Sequence, residues 1–153
     1  MVASVDRGRL VTGFVAGLGA TVVMSVVMLA GIGTGVSPMP KPIPVALVGH
    51  TFEVHKPALV VLGFGAHLLY GGAAGAVFTA LVGRAGLARG LGYGVLLWLV
   101  MGLVALPYLG WGLFGTGMSP GIAAATLVLH LLYGASLGWL AQIRGVRETV
   151  AAG

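Results

Sequence analysis

The chain lacks cysteine and has very few charged residues, and these two absences restrict its class before any motif is considered. Of its 153 residues, 8 are Lys or Arg and 3 are Asp or Glu, so only 7% are charged. A soluble domain typically carries charge on about a quarter of its residues. The scarcity of charge therefore excludes a soluble enzyme and a disordered tail. The absence of cysteine excludes a disulfide scaffold and a zinc site built from thiolates.

Apolar residues and glycine dominate what is present. Hydrophobic residues make up 58% of the chain, and a further 28 residues are glycine. Uncharged stretches cover residues 10–33, 58–83, 90–113 and 121–143. Each exceeds the ~20 residues that a helix needs to cross a hydrocarbon core. Because backbone groups in lipid must be paired within the segment, we predict an all-α integral membrane four-helix bundle rather than open strands. The first stretch is longer than the ~7–15-residue core of a signal peptide, so we expect it to be a retained helix.

The positions of the basic residues predict the topology. Arginines occur before the first stretch, between the second and third, and after the fourth: Arg7, Arg9, Arg84, Arg89, Arg144 and Arg147. With four crossings these three regions lie on one side of the membrane, and only Lys41 and Lys56 lie on the other. By the positive-inside rule we predict a multi-pass plasma-membrane protein with both termini in the cytoplasm and loop 34–57 outside. The net charge of +5 is interpreted through this topology, so no nucleic-acid partner is expected.

Two short motifs recur in the same order and indicate an internal repeat. Residues 33–38 read GTGVSP and residues 115–120 read GTGMSP, while residues 67–71 and 130–134 both read HLLYG. We predict a single membrane domain over 1–153, made of two helical hairpins. Repeat one (10–83) carries the proline-rich outer loop 34–57, and repeat two (90–143) lacks it. Two crossings per repeat favour a pseudo-two-fold axis along the membrane normal. GTGxSP itself is interpreted as a turn, because glycine, hydroxyl residues and proline are typical of helix ends and starts.

The HLLYG motifs place a histidine in the middle of the second and fourth predicted helices. His67 and His130 each lie nine residues into their stretch. That is ~14 Å at 1.5 Å per residue, near the midplane of a ~30 Å core. Polar residues at this depth are costly and usually face a bundle interior, so they are functional candidates. We predict that both imidazoles are axial ligands of a b-type haem. Glycines one and two turns further along each helix would leave room for the macrocycle: Gly71, Gly75, Gly134 and Gly138.

Other interpretations of the same residues stay open. The glycine spacings are also small-xxx-small packing motifs. Each histidine could then simply bond a neighbouring carbonyl, a tyrosine, or one of the serines Ser25 and Ser136. A third interpretation is a quinone, carotenoid or lipid pocket, with Tyr70 and Tyr133 beside the histidines.

The outer loop contains alternating prolines and three candidate metal ligands. Prolines at positions 38, 40, 42 and 44 predict an extended segment without helix. The apolar residues 45–48 are expected at the membrane interface or against a partner. His50, Glu53 and His55 carry metal-binding groups, but their spacing matches no standard metal motif. Because functional contacts concentrate on loops, partner docking is the stronger expectation for this segment.

The last helix also carries a family likeness. The H-x-x-Y-G segment at 130–134, with Trp98, Pro107 and Gly115 in and after the third stretch, resembles a group of small, functionally uncharacterised four-helix integral membrane proteins of archaea and bacteria. The resemblance implies the topology over most of the chain and no activity.

Three function classes follow from these features. The first is an electron-transfer subunit of a respiratory or other quinone-linked membrane complex, with the haem between His67 and His130. The second is a non-catalytic accessory or assembly subunit that packs through its glycine faces against other subunits or copies of itself. The third is a small oligomeric transporter. None of the four stretches contains a carboxylate, and we recognise no nucleophile–base pair, so a stand-alone enzyme is not expected.

Overall fold

The computed structural model describes the backbone of residues 6–151 and the side chains of residues 6–145. Within these residues all regular structure is helical. The helices are α1 (Arg7–Gly33), α2 (Ile43–Thr51), α3 (Ala58–Leu81), α4 (Leu87–Val100), the three-residue α5 (Leu106–Tyr108) and α6 (Gly121–Ala151). A π-helical turn at Met101–Ala105 joins α4 to α5. The predicted all-helical class is therefore confirmed for the described part, whereas the Arg147 side chain of the charge pattern lies outside it.

Four helical segments are long and apolar enough to cross a membrane, namely Arg7–Gly33, Ala58–Leu81, Leu87–Tyr108 and Gly121–Gly145. Only 22% to 44% of their most apolar windows is buried inside the bundle, so much of their apolar surface faces outwards. Val61, Leu69 and Val128 are exposed on these faces. Apolar patches of this extent are not stable in water. The arrangement is compatible with a small multi-pass membrane protein in contact with lipid.

The four long helices pack as two pairs that meet at the centre. α1 packs against α3, α4 packs against α6, and α1 contacts α6 between them. In each pair, the two helices come into contact at glycine residues. A Cβ atom on Gly17 would collide with the backbone of Gly71, and one on Gly90 would collide with the backbone of Gly134. The contact glycines are Gly13, Gly17, Gly71 and Gly75 in the first pair and Gly90, Gly94, Gly134 and Gly138 in the second. Small residues at these positions let the helix backbones touch, as is common in membrane bundles.

The third membrane helix ends before the predicted boundary at residue 113. Pro107 has no N–H to donate, and the turn before it is π-helical, with the Leu106 N–H bonded to the Met101 carbonyl. The helix ends at Tyr108, and Gly110, two residues further on, adopts a φ of 74°. A left-handed conformation of this kind favours glycine and stops the helix. The uncharged stretch runs on to residue 113, but a proline at position 107 predicts from the sequence a kink or an end of this helix near the outer face, and the structure confirms it.

The proline-rich loop contains a helix that its sequence did not predict. α2 begins at Ile43 and packs against α3. A Cβ on Gly63 would lie 2.8 Å from the Cα of Val45, so the two backbones are in close contact. Pro44 falls in the first turn of α2, where its missing N–H costs no hydrogen bond. The expectation of an extended segment is therefore wrong from Ile43 onwards.

The two GTGxSP motifs form turns, as predicted. In the first, the Ser37 hydroxyl accepts from the Met39 N–H at 3.3 Å. In the second, the Ser119 hydroxyl accepts from the Gly121 N–H at 3.3 Å. Each motif therefore satisfies local backbone groups. The wider two-hairpin repeat stays a prediction.

Candidate functional site

A cavity of about 330 Å³ lies between α1, α2, α3, α6 and the π-helical turn that follows α4. Both HLLYG histidines line it, so the structure brings His67 and His130 to the same cavity. The remaining lining is mostly apolar and includes Met24, Met28, Leu47, Val100, Met101, Val104 and Leu129. We call this space the histidine cavity.

The histidine cavity opens on the outer surface of the bundle, on the side where α3 faces α4. Its rim residues Tyr70, Val100 and Val104 are 53%, 46% and 64% exposed. We call the end of the bundle where α1 and α4 begin the arginine-bearing end, because Arg7, Arg9, Arg84 and Arg89 lie there. Nearer that end, the Tyr93 hydroxyl donates to the Ala74 carbonyl at 2.8 Å and joins α4 to α3. In a bilayer the opening would therefore face lipid, and a ligand could enter sideways from the membrane.

His130 is held by its own helix. Its Nδ1 lies 2.8 Å from the Thr126 carbonyl oxygen, and the side chain is only 8% exposed. A carbonyl can only accept, so Nδ1 carries the proton of this bond. In the neutral imidazole, Nε2 is then unprotonated and can accept a hydrogen bond or bind a metal.

His67 is held by a neighbouring helix. Its Nδ1 lies 3.2 Å from the Ser25 hydroxyl on α1. A hydroxyl can both donate and accept, so either tautomer of His67 satisfies this bond. The interpretation that one of these histidines bonds Ser25 is therefore confirmed for His67. It does not exclude a ligand, because the bond uses only one of the two ring nitrogens.

The second ring nitrogen of each histidine is accessible. Among the described residues, no hydrogen bond involves Nε2 of His67 or His130. In the same part of the chain, no fully buried side-chain nitrogen or oxygen lacks a hydrogen-bond partner. Neither Nε2 is therefore sealed inside the protein, and the space that both side chains line is the histidine cavity.

The two candidate tyrosines have different surroundings. Tyr70 lines the histidine cavity at its exposed rim. Tyr133 is 3% exposed, and its hydroxyl donates to the Gly71 carbonyl at 2.7 Å, which joins α6 to α3. Tyr133 is not among the residues that line the cavity, so the structure gives it an interhelical bond instead of the predicted ligand contact.

The four candidate glycines also lie elsewhere. None of Gly71, Gly75, Gly134 and Gly138 lines the histidine cavity. Residues of α1, or of the start of α4, fill the space beside each of them. The groove predicted for a macrocycle is therefore already occupied by neighbouring helices, and these glycines serve helix packing.

The candidate metal ligands of the outer loop do not come together. Within residues 6–145 there is no group of three or more His, Cys, Asp or Glu side chains that could hold a metal ion. The His50 ring packs edge-on against Tyr108, with centroids 4.8 Å apart and an interplanar angle of 81°. Because α2 directs His50 to this contact, the loop site predicted from His50, Glu53 and His55 is not formed.

Three methionines line the histidine cavity that were not among the candidate residues predicted from the sequence. Met24 and Met28 line the histidine cavity from α1 and are 7% and 3% exposed, and Met101 lines it from the π-helical turn. The four-residue spacing of Met24 and Met28 indicates a shared helix face. Nothing in the sequence indicates that this face lies opposite the histidines, because that depends on how α1 packs against α3 and α6.

No protein-family model, curated protein or solved structure matches the chain. Fold and cavity nevertheless define a class, a small helical bundle with four membrane-length helices and an apolar, histidine-lined cavity between them.

Proposed function

We propose that the histidine cavity binds a quinone-type ligand, that is, an aromatic ring with two oxygen substituents and an apolar tail. The observation that carries the proposal is the presence of two histidines, each with an Nε2 that no protein group bonds, in one mostly apolar, laterally open cavity. Small-molecule sites commonly combine mostly apolar walls with a few placed polar groups. Such a ligand would make the protein part of a membrane electron-transfer system.

The two histidines differ in what they offer the ligand. Neutral His130 presents an unprotonated Nε2, which accepts from the hydroxyl of a reduced ring. His67 can donate to a carbonyl or accept from a hydroxyl, because Ser25 serves either tautomer. A quinol is therefore expected to bind more tightly than the corresponding quinone.

Size and access also favour a single ring. The volume of about 330 Å³ is at the lower end of the ~300–1,000 Å³ that small-molecule sites occupy. The exposed rim of Tyr70, Val100 and Val104 would allow an apolar tail to extend into lipid.

A b-type haem is the second candidate, and the Nδ1 hydrogen bonds favour it. A histidine that binds a metal through one nitrogen usually bonds a protein group through the other. His130 has this arrangement with the Thr126 carbonyl, and His67 has it when it donates to Ser25. The volume disfavours haem, because a four-ring macrocycle would require the helices to separate along their glycine contacts.

An absorption spectrum of the detergent-purified protein, oxidised and then reduced with dithionite, separates the two candidates. A sharp Soret band with split visible bands on reduction would establish haem and overturn the quinone proposal. A flat visible spectrum, with quinone recovered in an organic extract of the purified protein, would support it.

Binding of a short-tailed benzoquinol, which has a single ring, to the protein in lipid nanodiscs gives the quantitative test. His67→Ala and His130→Ala should each weaken binding about tenfold, the value of one lost hydrogen bond of about 1.4 kcal/mol. His50→Ala is the matched control and should bind normally, because His50 packs against Tyr108 outside the cavity. Equal binding by all three variants would overturn the proposal.

We further propose that the arginine-bearing end of the bundle faces the cytoplasm. Among the described side chains, five arginines lie at the end where α1 and α4 begin, whereas Lys41 and Lys56 lie at the other end. The chain has no cysteine, so single-cysteine variants report orientation directly. A membrane-impermeant maleimide should label Val36→Cys in whole cells and Arg84→Cys only after lysis. The reverse pattern would contradict this orientation.

An electron-transfer role would require partner subunits, because one site near the middle of the membrane does not carry electrons across its whole width. The alternative of an accessory subunit that packs through glycine faces has less support. The eight contact glycines defined above already pack against one another inside the bundle. Native mass spectrometry of gently solubilised membranes would show whether other subunits or further copies are bound.

A further inference from the structure

A second cavity lies at the arginine-bearing end of the bundle, far along the helices from the histidines. It has a volume of about 640 Å³ and is formed by the start of α1, the end of α3 with the connection that follows it, and the last described turns of α6. Its polar lining residues include Arg9, Arg84 and Gln142, which come from three different segments. We call it the arginine cavity.

Arg9 is fixed in the wall of the arginine cavity. Its Nη2 donates to the Thr79 carbonyl at 2.7 Å and to the Val82 carbonyl at 2.6 Å. The Thr79 carbonyl lies in the last turn of α3 and the Val82 carbonyl belongs to the residue after the helix, so neither has a helical N–H to bond. A guanidinium has five N–H groups, and those on Nε and Nη1 are not used in these bonds. Arg9 is therefore positioned without having exhausted its donors.

Positive charge predominates around the arginine cavity. Arg84 is exposed on the connection between α3 and α4, and Arg89 donates to its carbonyl. Among the described lining residues, Asp6 is the single carboxylate. Its Oδ1 accepts from the Gly8 N–H at 3.0 Å and caps α1. The cavity therefore combines two arginine side chains with one carboxylate, one oxygen of which caps α1.

We propose that the arginine cavity binds the phosphate group of an anionic phospholipid. It lies at the ends of membrane-length helices, which is the depth of lipid headgroups. Basic pockets between transmembrane helices are known to bind acidic headgroups. Guanidinium groups match phosphate oxygens in geometry and charge. Leu81, at the end of α3, is 75% exposed next to this cavity and offers an apolar surface to an acyl chain. This proposal does not depend on the ligand of the histidine cavity.

The test is native mass spectrometry of the full chain released from nanodiscs of defined composition. Discs of phosphatidylcholine containing phosphatidylglycerol should leave phosphatidylglycerol bound to the protein, and pure phosphatidylcholine discs should leave none. Arg84→Gln should lower retention about fivefold, the worth of one basic side chain at a lipid surface. This variant keeps the bonds of Arg9 to α3, so it should still fold. Lys56→Gln removes a charge at the opposite end and is the matched control.

The outcomes decide between lipid, free phosphate and no site. Selective retention of phosphatidylglycerol that falls in Arg84→Gln and not in Lys56→Gln would support the proposal. Equal retention of both lipids, or equal retention by both variants, would overturn it. Inorganic phosphate is tested separately by thermal unfolding in detergent. A phosphate-induced stabilisation that requires Arg84, without selective lipid retention, would identify a soluble phosphate ligand and overturn the lipid assignment.

Discussion

Replacement of Gly90 by alanine is expected to disrupt the contact between α4 and α6. An ideal Cβ at Gly90 would lie 2.9 Å from the Cα of Gly138 and 3.0 Å from its nitrogen, and closer still to the Gly134 carbonyl oxygen. Ordinary van der Waals contact needs 3.4–4 Å. All three neighbouring atoms belong to the backbone and cannot rotate away as a side chain could. The two helices must therefore separate.

The size of the effect follows from two opposing contributions. Overpacking of a close contact costs about 1–3 kcal/mol. Alanine recovers up to about 1 kcal/mol of helix propensity relative to glycine. Gly92→Ala is the matched control, because nothing lies within 4 Å of a Cβ at Gly92 on the same helix. Propensity is common to both variants, so the difference between them should be about 1–3 kcal/mol and reports the contact alone.

The assay is reversible unfolding by SDS in mixed micelles, followed by circular dichroism. Gly90→Ala should unfold at lower SDS than the parent protein, and Gly92→Ala should unfold at the same or higher SDS. If the free energies of unfolding of the two variants agreed within about 0.5 kcal/mol, the normal scatter of neutral substitutions, close glycine packing would not be what holds α4 to α6.

Two further substitutions test hydrogen bonds between helices in the same assay. Tyr133→Phe removes the 2.7 Å bond to the Gly71 carbonyl and should cost about 0.6–1.7 kcal/mol, whereas Tyr70→Phe at the exposed rim should cost nothing measurable. Trp98→Phe removes the Nε1–H donor that lies 3.2 Å from the Thr126 hydroxyl. The loss of this bond should lower the free energy of unfolding by about 0.6–1.7 kcal/mol. An unchanged midpoint for Tyr133→Phe, or for Trp98→Phe, would contradict the role given to that bond.

The helices of the membrane domain were largely predictable because lipid imposes a length and forbids charge. The uncharged stretches 10–33 and 58–83 correspond closely to α1 (Arg7–Gly33) and α3 (Ala58–Leu81). Predictions failed where backbone chemistry or packing overrides hydrophobicity. The uncharged stretch 90–113 overestimates the third membrane helix, and the early end at Tyr108 is predictable only from Pro107. α2 forms in a proline-rich segment because its residues pack against α3 near Gly63.

The candidate site was predictable only in part. Spacing along the helices placed His67 and His130 at the same depth, and the structure brings both to one cavity. The four-residue spacing also predicted a row of glycines on the same face of the helix as each histidine. It could not reveal that α1 and α4 cover those glycines, or that the hydroxyl of Tyr133 bonds the backbone of α3.

The helical class, the number of long apolar helices and the positions of the two histidines along their helices were predictable without a structure, because each depends on residue type and on spacing within one segment. What those residues face depends on how the helices pack and was visible only in the folded chain. The glycines face neighbouring helices, and His67 faces the Ser25 hydroxyl of α1. Methionines and residues of α2 form part of the wall of the histidine cavity. The physical reason is that helical periodicity fixes which residues share a face. The atoms opposite that face come from segments far away in the chain, and close packing between helices selects them.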